Sequence, residues 1–391
     1  MFKNTLLSLT LLLSLQAESF NDFLKDDSSQ FSTEKKAFDI EQKKIQKEFD
    51  TYNKVLKEEF NAFKKSLGKF WTEPKISSSK VWVEYSKDLK NRKSVNFENN
   101  TVTIDVHAKN ANQARVLLAK SFVDTISKGT TDAFKDDILS QRIEKRLTKA
   151  QKAKIENKPI LTHLLFDTPP SNKKLLSYTK NKIRTRSIKQ VKSKIPKLKH
   201  YSITVALPKN TTLKKARIYL PRAQAMSKKF GVPTSVVLAV MQTESGFNPM
   251  ARSHIPAYGL MQIVPRSAGI DVYRYLYKKR RLLSPSYLYN SNNNIKLGTA
   301  YLHLIYTKYL KAIKNPTSRL YCTIAAYNTG AGNVSRTFSG TTSPAKAARK
   351  INKMTAPQVY NYLVKNLKYK ETRHYVQRVS KRAAAFSKLG H

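Results

Sequence analysis

From Leu213 to the C-terminus apolar residues keep recurring at helical spacing with no long alternating run, a pattern that restricts the second half of the chain to an all-helical fold. Alternation, the mark of a half-buried strand, is confined to Val81–Tyr85, Val95–Val106 and His200–Leu207, with Glu98-Asn99-Asn100 placed as a hairpin turn inside the second run. Ahead of these, Phe38, Ile45, Phe49, Tyr52, Leu56, Phe60 and Phe63 mark one face of a long amphipathic helix from Phe31 to about Leu67. Ala108 to about Leu139 returns to helical spacing. Ile143–Leu198 is lysine-rich and broken at Pro159, Pro169-Pro170 and Pro196, open to linker or to helical pieces. The expected fold class is α+β overall, a mainly α C-terminal domain behind an α+β N-terminal domain. At 391 residues more than one core is expected, with a boundary near residue 205.

The first residues read as an export signal. Lys3 gives a positive start, Thr5–Leu15 is an apolar run too short to span a bilayer comfortably, and Ala17 ends it with a small residue. The expected segments are thus a signal over 1–17, an accessory domain with its lysine-rich linker over 18–204, and the catalytic domain over 205–391. The one cysteine, Cys322, permits no internal disulfide, so packing must supply the stability of an exported chain. A formal charge of +47 favours a polyanionic partner: a wall polymer, an anionic membrane surface or nucleic acid. Part of that charge can equally be general lysine-rich composition. The seven histidines show no metal-ligand spacing, and neither a phosphate-cradling Gly-x-x-x-x-Gly-Lys nor a Gly-x-Ser-x-Gly elbow occurs. No metal or other cofactor is expected.

Acids are distributed very unevenly. Of the 26, only Glu244, Asp271 and Glu371 fall after residue 200, where 32 basic residues leave a net charge of +29. Glu244 closes the helical run that follows Pro233-Thr234 and stops at Gly246 and Pro249. Val237, Val240 and Met241 stand seven, four and three residues before it, so its side chain projects from the buried face. Apolar surroundings and the negative end of the helix dipole both disfavour the carboxylate and raise its pKa, the state a general acid needs. A helix-terminal Glu capping a local turn is the plainer alternative. Asp271 follows Gly269-Ile270 at the start of a helical pattern and reads as an N-cap. Glu371, beside Arg373 and His374, is open to a bracing or a substrate-side role.

Glu244-Ser245-Gly246-Phe247-Asn248-Pro249, Ala257-Tyr258-Gly259-Leu260-Met261-Gln262-Ile263 and Ala326-Tyr327-Asn328-Thr329-Gly330 resemble the three ordered motifs of the soluble-lytic-transglycosylase domain. Asp271-Val272-Tyr273-Arg274, Asn315-Pro316-Thr317-Ser318-Arg319, Glu371-Thr372-Arg373-His374-Tyr375 and, more weakly, Trp82–Ile104 are similar to one membrane-bound branch of that family. The resemblance implies a lysozyme-like helical domain that cleaves the β-1,4 bond between N-acetylmuramic acid and N-acetylglucosamine. It implies Glu244 as acid and then base, with the muramoyl 6-hydroxyl attacking to leave a 1,6-anhydro end. On the substrate side it implies Ser245, Ser253, Gly259, Met261, Gln262, Tyr327, Asn328, Glu371 and Tyr375. Among these Ser253 and Gln262 would bond the sugars, Met261 would line the cleft, Tyr327 would stand beside the scissile linkage, and Asn328 would fix the local geometry. The chain departs from the pattern twice. Thr329 stands where the family often has a second glycine, and no cysteine precedes Cys322, so no lipid attachment near the N-terminus is expected.

The scarcity of acids agrees with a reaction that needs one carboxylate and an internal nucleophile, since ordinary glycosidases pair two carboxylates about 5–10 Å apart. A goose-type lysozyme, which hydrolyses the same bond with water, and a non-enzymatic wall-binding protein are the competing readings. A monomer acting on glycan strands is expected. Nucleic acid is not, because no recognition motif accompanies the charge.

Overall fold

The computed structural model describes residues 40, 43, 46–184, 186–208, 211–253 and 257–389. The expected export signal and the beginning of the amphipathic helix lie outside the described residues. Two compact units are present, Met1–Val55 and Leu56–His391. In the first, residues 46–55 are helical, with Phe49, Tyr52 and Val55 buried.

The second unit opens with a helix over residues 56–68 (α1), whose Phe63 meets Tyr85 edge-on at 5.9 Å. Five antiparallel strands follow: β1 (Val81–Tyr85), β2 (Asn91–Asn96), β3 (Thr101–Ala108), β4 (Lys189–Val191) and β5 (Lys199–Ala206), in spatial order β1-β2-β3-β5-β4. The turn expected at Glu98-Asn99-Asn100 joins β2 to β3, and Asn96 Oδ1 accepts the Glu98 and Asn99 amides there, as a turn-initiating Asn does. Strand β4 carried no signal: three residues, all exposed, cannot show alternation.

The stretch of helical spacing from Ala108 to about Leu139 holds α2 (Ala111–Ser127), α3 (Thr130–Asp136) and the start of α4 (Ile138–Arg146). The first break has a tertiary cause. The Lys128 ammonium is drawn to Glu84 and Asp136, 2.7 Å from each, and Gly129 lies so near Asn157 that a Cβ would sit 2.1 Å from its side-chain oxygen. Helices α5 (Thr162–Leu165) and α6 (Asn172–Arg184) occupy part of the lysine-rich stretch.

Beyond β5 the chain is helical: α7 (Thr211–Phe230), α8 (Thr234–Ser245), α9 (Ile270–Tyr277), α10 (Pro285–Tyr289), α11 (Ser291–Leu304), α12 (Pro316–Thr329), α13 (Ala331–Ser339), α14 (Pro344–Ile351), α15 (Ala356–Asn366) and α16 (Lys370–Phe386). Together with the sheet this is the α+β mixture that periodicity predicts. Helix α8 is the centre of this half, packed against α7 and α16, with Val236–Met241 all buried. One core cluster gathers Cys322, Ala325 and Ala326 of α12 with Val334, Ile351, Val359, Leu363 and Val376, burying the lone thiol as a small apolar group. Asp271 does not cap α9. The N-cap is Gly269 and Asp271 lies in the first turn, where burial raises its pKa. Among the described residues no helix is long and apolar enough to cross a membrane, and no group of three or more His, Cys, Asp or Glu could hold a metal ion.

Candidate active site

Helix α8 delivers Glu244 at its last turn and then stops abruptly. Gly246 takes a left-handed conformation (φ +63°) and its amide bonds Gln242 O at 3.0 Å, an ending that glycine accepts without strain. Phe247 also lies in the left-handed region (φ +66°), uncommon for a bulky residue. Its ring is held by Tyr219, parallel at 6.3 Å, and by Phe386, edge-on at 6.2 Å.

The Glu244 carboxyl is partly buried on the side of α8 that faces α16. The Tyr375 hydroxyl, one turn along α16 from Glu371, donates to Glu244 Oε1 at 2.7 Å. Burial raises the Glu244 pKa from its ordinary 4.5 to about 7, outweighing the Tyr375 hydrogen bond and the Lys80 charge, which lower it, while Glu371 adds to the rise. Burial and the Glu244 charge both push the Tyr375 phenol well above its usual range, so it stays a donor. With Oε1 occupied, Oε2 is the oxygen free to carry a proton.

The loop after α8 forms the second wall. Tyr258 and Ile263 exchange backbone hydrogen bonds of 3.1 Å, closing a tight turn that contains Gly259 (φ +74°) and Gln262 (φ +47°). A Cβ at Gly259 would stand 2.4 Å from the Asn294 amide nitrogen and 2.6 Å from Leu288 O, so only glycine fits. Asn294, wholly buried in α11, pins this turn: its Oδ1 accepts the Met261 amide at 2.8 Å, and its Nδ2 donates to Tyr258 O at 2.8 Å and Leu288 O at 2.9 Å. The third wall is α12, whose Tyr327 hydroxyl donates to Met261 O at 2.9 Å.

The residues expected on the substrate side separate into two groups. Glu371 is exposed and Gln262, Tyr327, Asn328 and Ser253 are partly so. Ser245 is fully buried, its hydroxyl bonding Met241 O at 3.0 Å and Leu260 O at 2.8 Å, which ties α8 to the second wall. Met261 is also fully buried, packed over Gly298, where a Cβ would lie 2.3 Å from its sulfur. Its carbonyl accepts the Tyr327 hydroxyl. Asn328 Oδ1 accepts from Thr372 Oγ1 at 2.7 Å and joins α12 to α16. Glu244, Tyr375, Tyr327 and the Tyr258–Ile263 turn are thus brought together from four elements.

Residues 222–350 match the Transglycosylase SLT domain. Over 308 residues the chain is 36% identical to the membrane-bound lytic murein transglycosylase C of Klebsiella pneumoniae, covering 76% of this chain and 79% of that protein. The chain belongs to the lytic murein transglycosylase family. A Salmonella arizonae protein of the same name is 34% identical over 309 residues, 78% of this chain and 81% of that one. The 70 kDa soluble lytic transglycosylase of Escherichia coli overlaps 46% of this chain and 30% of that chain, at 24% identity and a TM-score of 0.34.

Three side chains of this transglycosylase that shape the site carry no mark in the sequence: Asn294, Arg382 and Lys80. Arg382 donates to Thr243 Oγ1 at 2.9 Å, and Lys80 Nζ donates to Gln242 O at 2.9 Å and Thr243 O at 2.6 Å. Asn294 is one of three consecutive asparagines, and Lys80 one of many lysines. Neither residue type nor spacing distinguishes them.

Proposed function

We propose that the protein cleaves the β-1,4 bond between N-acetylmuramic acid and N-acetylglucosamine in peptidoglycan, leaving 1,6-anhydromuramoyl ends, with Glu244 as its acid and then its base. The observation that carries this reading is one carboxyl held near pKa 7 by burial, with one oxygen fixed by Tyr375 and the other free. Protonated Glu244 donates through Oε2 to the glycosidic oxygen as the bond to the muramoyl C1 breaks, and the N-acetylglucosamine side leaves with that proton as a hydroxyl. Positive charge develops at C1, and the Glu244 carboxylate now present stabilises it electrostatically. The muramoyl 6-hydroxyl then closes on C1 and gives its proton to Glu244, which restores the acid. Atoms balance without water. The charge of Asp271 is felt at Tyr301 and Tyr309, and we assign it no part in the step. Glu371 is felt at Glu244 as a like charge that adds to its raised pKa.

Support for an exported, wall-facing protein comes from the membrane-bound relatives and from the +47 charge, which suits anionic wall polymers or an anionic membrane surface. We place the catalytic domain over 205–391 and expect residues 18–204 to serve it.

Mass spectrometry of muropeptides released from purified sacculi tests the proposal. Products one water lighter than those of lysozyme support it, whereas only hydrated reducing ends would establish the hydrolase. Glu244→Gln should lose at least about a hundredfold in activity, the low end for a general acid.

A further inference from the structure

We propose that Lys80, in the segment entering β1, is a positioning residue for Glu244: it closes the C-terminal end of α8 from outside the helical half and sets the electrostatics of the acid. The proposal rests on Glu244 being the acid, and it makes the N-terminal sheet part of the catalytic apparatus.

A helix leaves its last four carbonyls without partners inside the helix. In α8 the Thr243 carbonyl, just before Glu244, is one of these, and the Lys80 ammonium takes it from 163 residues away together with the Gln242 carbonyl, which also accepts the Gly246 amide. A cation at this end also meets the negative pole of the helix dipole. The contact is one of a series. Ser78 O accepts the Arg252 amide at 3.4 Å, and Ser79 O accepts from Asn248 Nδ2 at 3.4 Å, so residues 78–80 run along the turn that follows α8. Lys80 is fixed on its own side, its carbonyl accepting the Phe97 amide at 2.9 Å. Phe97 and the Lys80 stem cover Gly246, where a Cβ would meet them at 3.4 and 3.7 Å. Lys215 of α7 adds a second tie, donating to Phe97 O at 2.8 Å and Asn100 Oδ1 at 2.6 Å.

Burial, with Arg382 second, lowers the Lys80 pKa to about 8; Arg378 acts in the same direction, and Glu244 and Glu98 oppose it. The ammonium is charged over the lower part of the range in which Glu244 titrates and begins to lose its proton over the upper part. Around Glu244 stand Tyr375, Glu371 and Arg378 from α16, Tyr327 from α12, and Lys80. Lys80 lowers the Glu244 pKa against the effect of burial. Its loss would raise that pKa further and loosen the end of α8.

The test uses the full chain, a soluble labelled glycan strand as substrate, and pH–rate profiles of Lys80→Met, Lys80→Gln and Lys80→Arg. A general acid must be protonated, so activity falls as pH rises through its pKa. Removing the charge should move that falling limb upward by roughly 0.5–1 pH unit. Lys80→Met should also lose at least about tenfold in kcat, with KM changed by less than about threefold. Lys80→Arg should restore the limb and most of kcat. A folded Lys80→Met with wild-type kcat and limb overturns the proposal, and so does a loss of kcat with an unmoved limb, which would make Lys80 a plain structural tie. If Lys80→Met fails to fold, Lys80→Gln decides, since it can still donate to the carbonyls without the charge; an unmoved limb there overturns the proposal. Glu244→Gln in parallel separates the two readings. Full activity in that variant removes the acid assignment, whereas an inactive one beside an unmoved Lys80→Gln limb removes only the role of Lys80.

Discussion

Glu244→Gln should stabilise the folded protein in a pH-dependent way, and this can be measured without any substrate. The folded state holds the Glu244 proton with a pKa of about 7, against an ordinary 4.5. Between these values the folded chain keeps a proton that the unfolded chain has released, so stability falls as pH rises. The loss begins above about pH 4.5 and is complete above about pH 7. At about 1.4 kcal/mol per tenfold change in proton affinity, the full cost is at most about 4 kcal/mol. Solvent reaching the carboxyl from the cleft reduces this to about 2 kcal/mol. Glutamine keeps the shape and can still accept from Tyr375, so the variant escapes the cost. Urea denaturation of both proteins from pH 4 to pH 8 should show equal stability at the acid end and a gap in favour of Glu244→Gln that opens through pH 5–7. A gap independent of pH, or one that favours the wild type at pH 8, would refute the argument that burial holds this carboxyl protonated.

Tyr375→Phe removes the 2.7 Å donor to Oε1, which binds the carboxylate more strongly than the acid. The falling limb of the pH–rate profile should move up by roughly one unit, with activity at the optimum down about tenfold. Asn294→Ala strands the Met261 amide and the Tyr258 and Leu288 carbonyls. A loss of about 3–5 kcal/mol by urea denaturation is expected, with activity falling alongside. Gly298→Ala pushes a methyl to within 2.3 Å of the Met261 sulfur and should cost about 1–3 kcal/mol by the same assay, through displacement of the Tyr258–Ile263 turn.

What could be read from the chain alone was whatever depends on neighbours a few residues apart. Val237, Val240 and Met241 place Glu244 on a buried face because a helix repeats every 3.6 residues, and Gly246 ends α8 because glycine alone enters the left-handed region freely. The β2–β3 turn and the all-helical second half follow from the same local rules. Each is a property of a segment, so the segment carries it.

The tertiary structure decided everything that joins distant segments. Helical spacing runs unbroken through Lys128-Gly129, and the break there exists because Glu84, Asp136 and Asn157 arrive from elsewhere. Asp271 has the composition of an N-cap, yet α9 begins one residue earlier, continuous with the π-helical turn of residues 265–269. Ser245 and Met261 stand in motifs that suggest contact with sugar, but packing commits both to the interior, and the partner of Asn328, Thr372, comes from another helix. Lys80 is the extreme case. A lysine among 73 basic residues has no local signature, and its role arises only where a strand entry and a helix end, 162 residues apart, meet. Local periodicity fixes which face a side chain takes; which partner waits there depends on long-range packing that no short window of sequence contains.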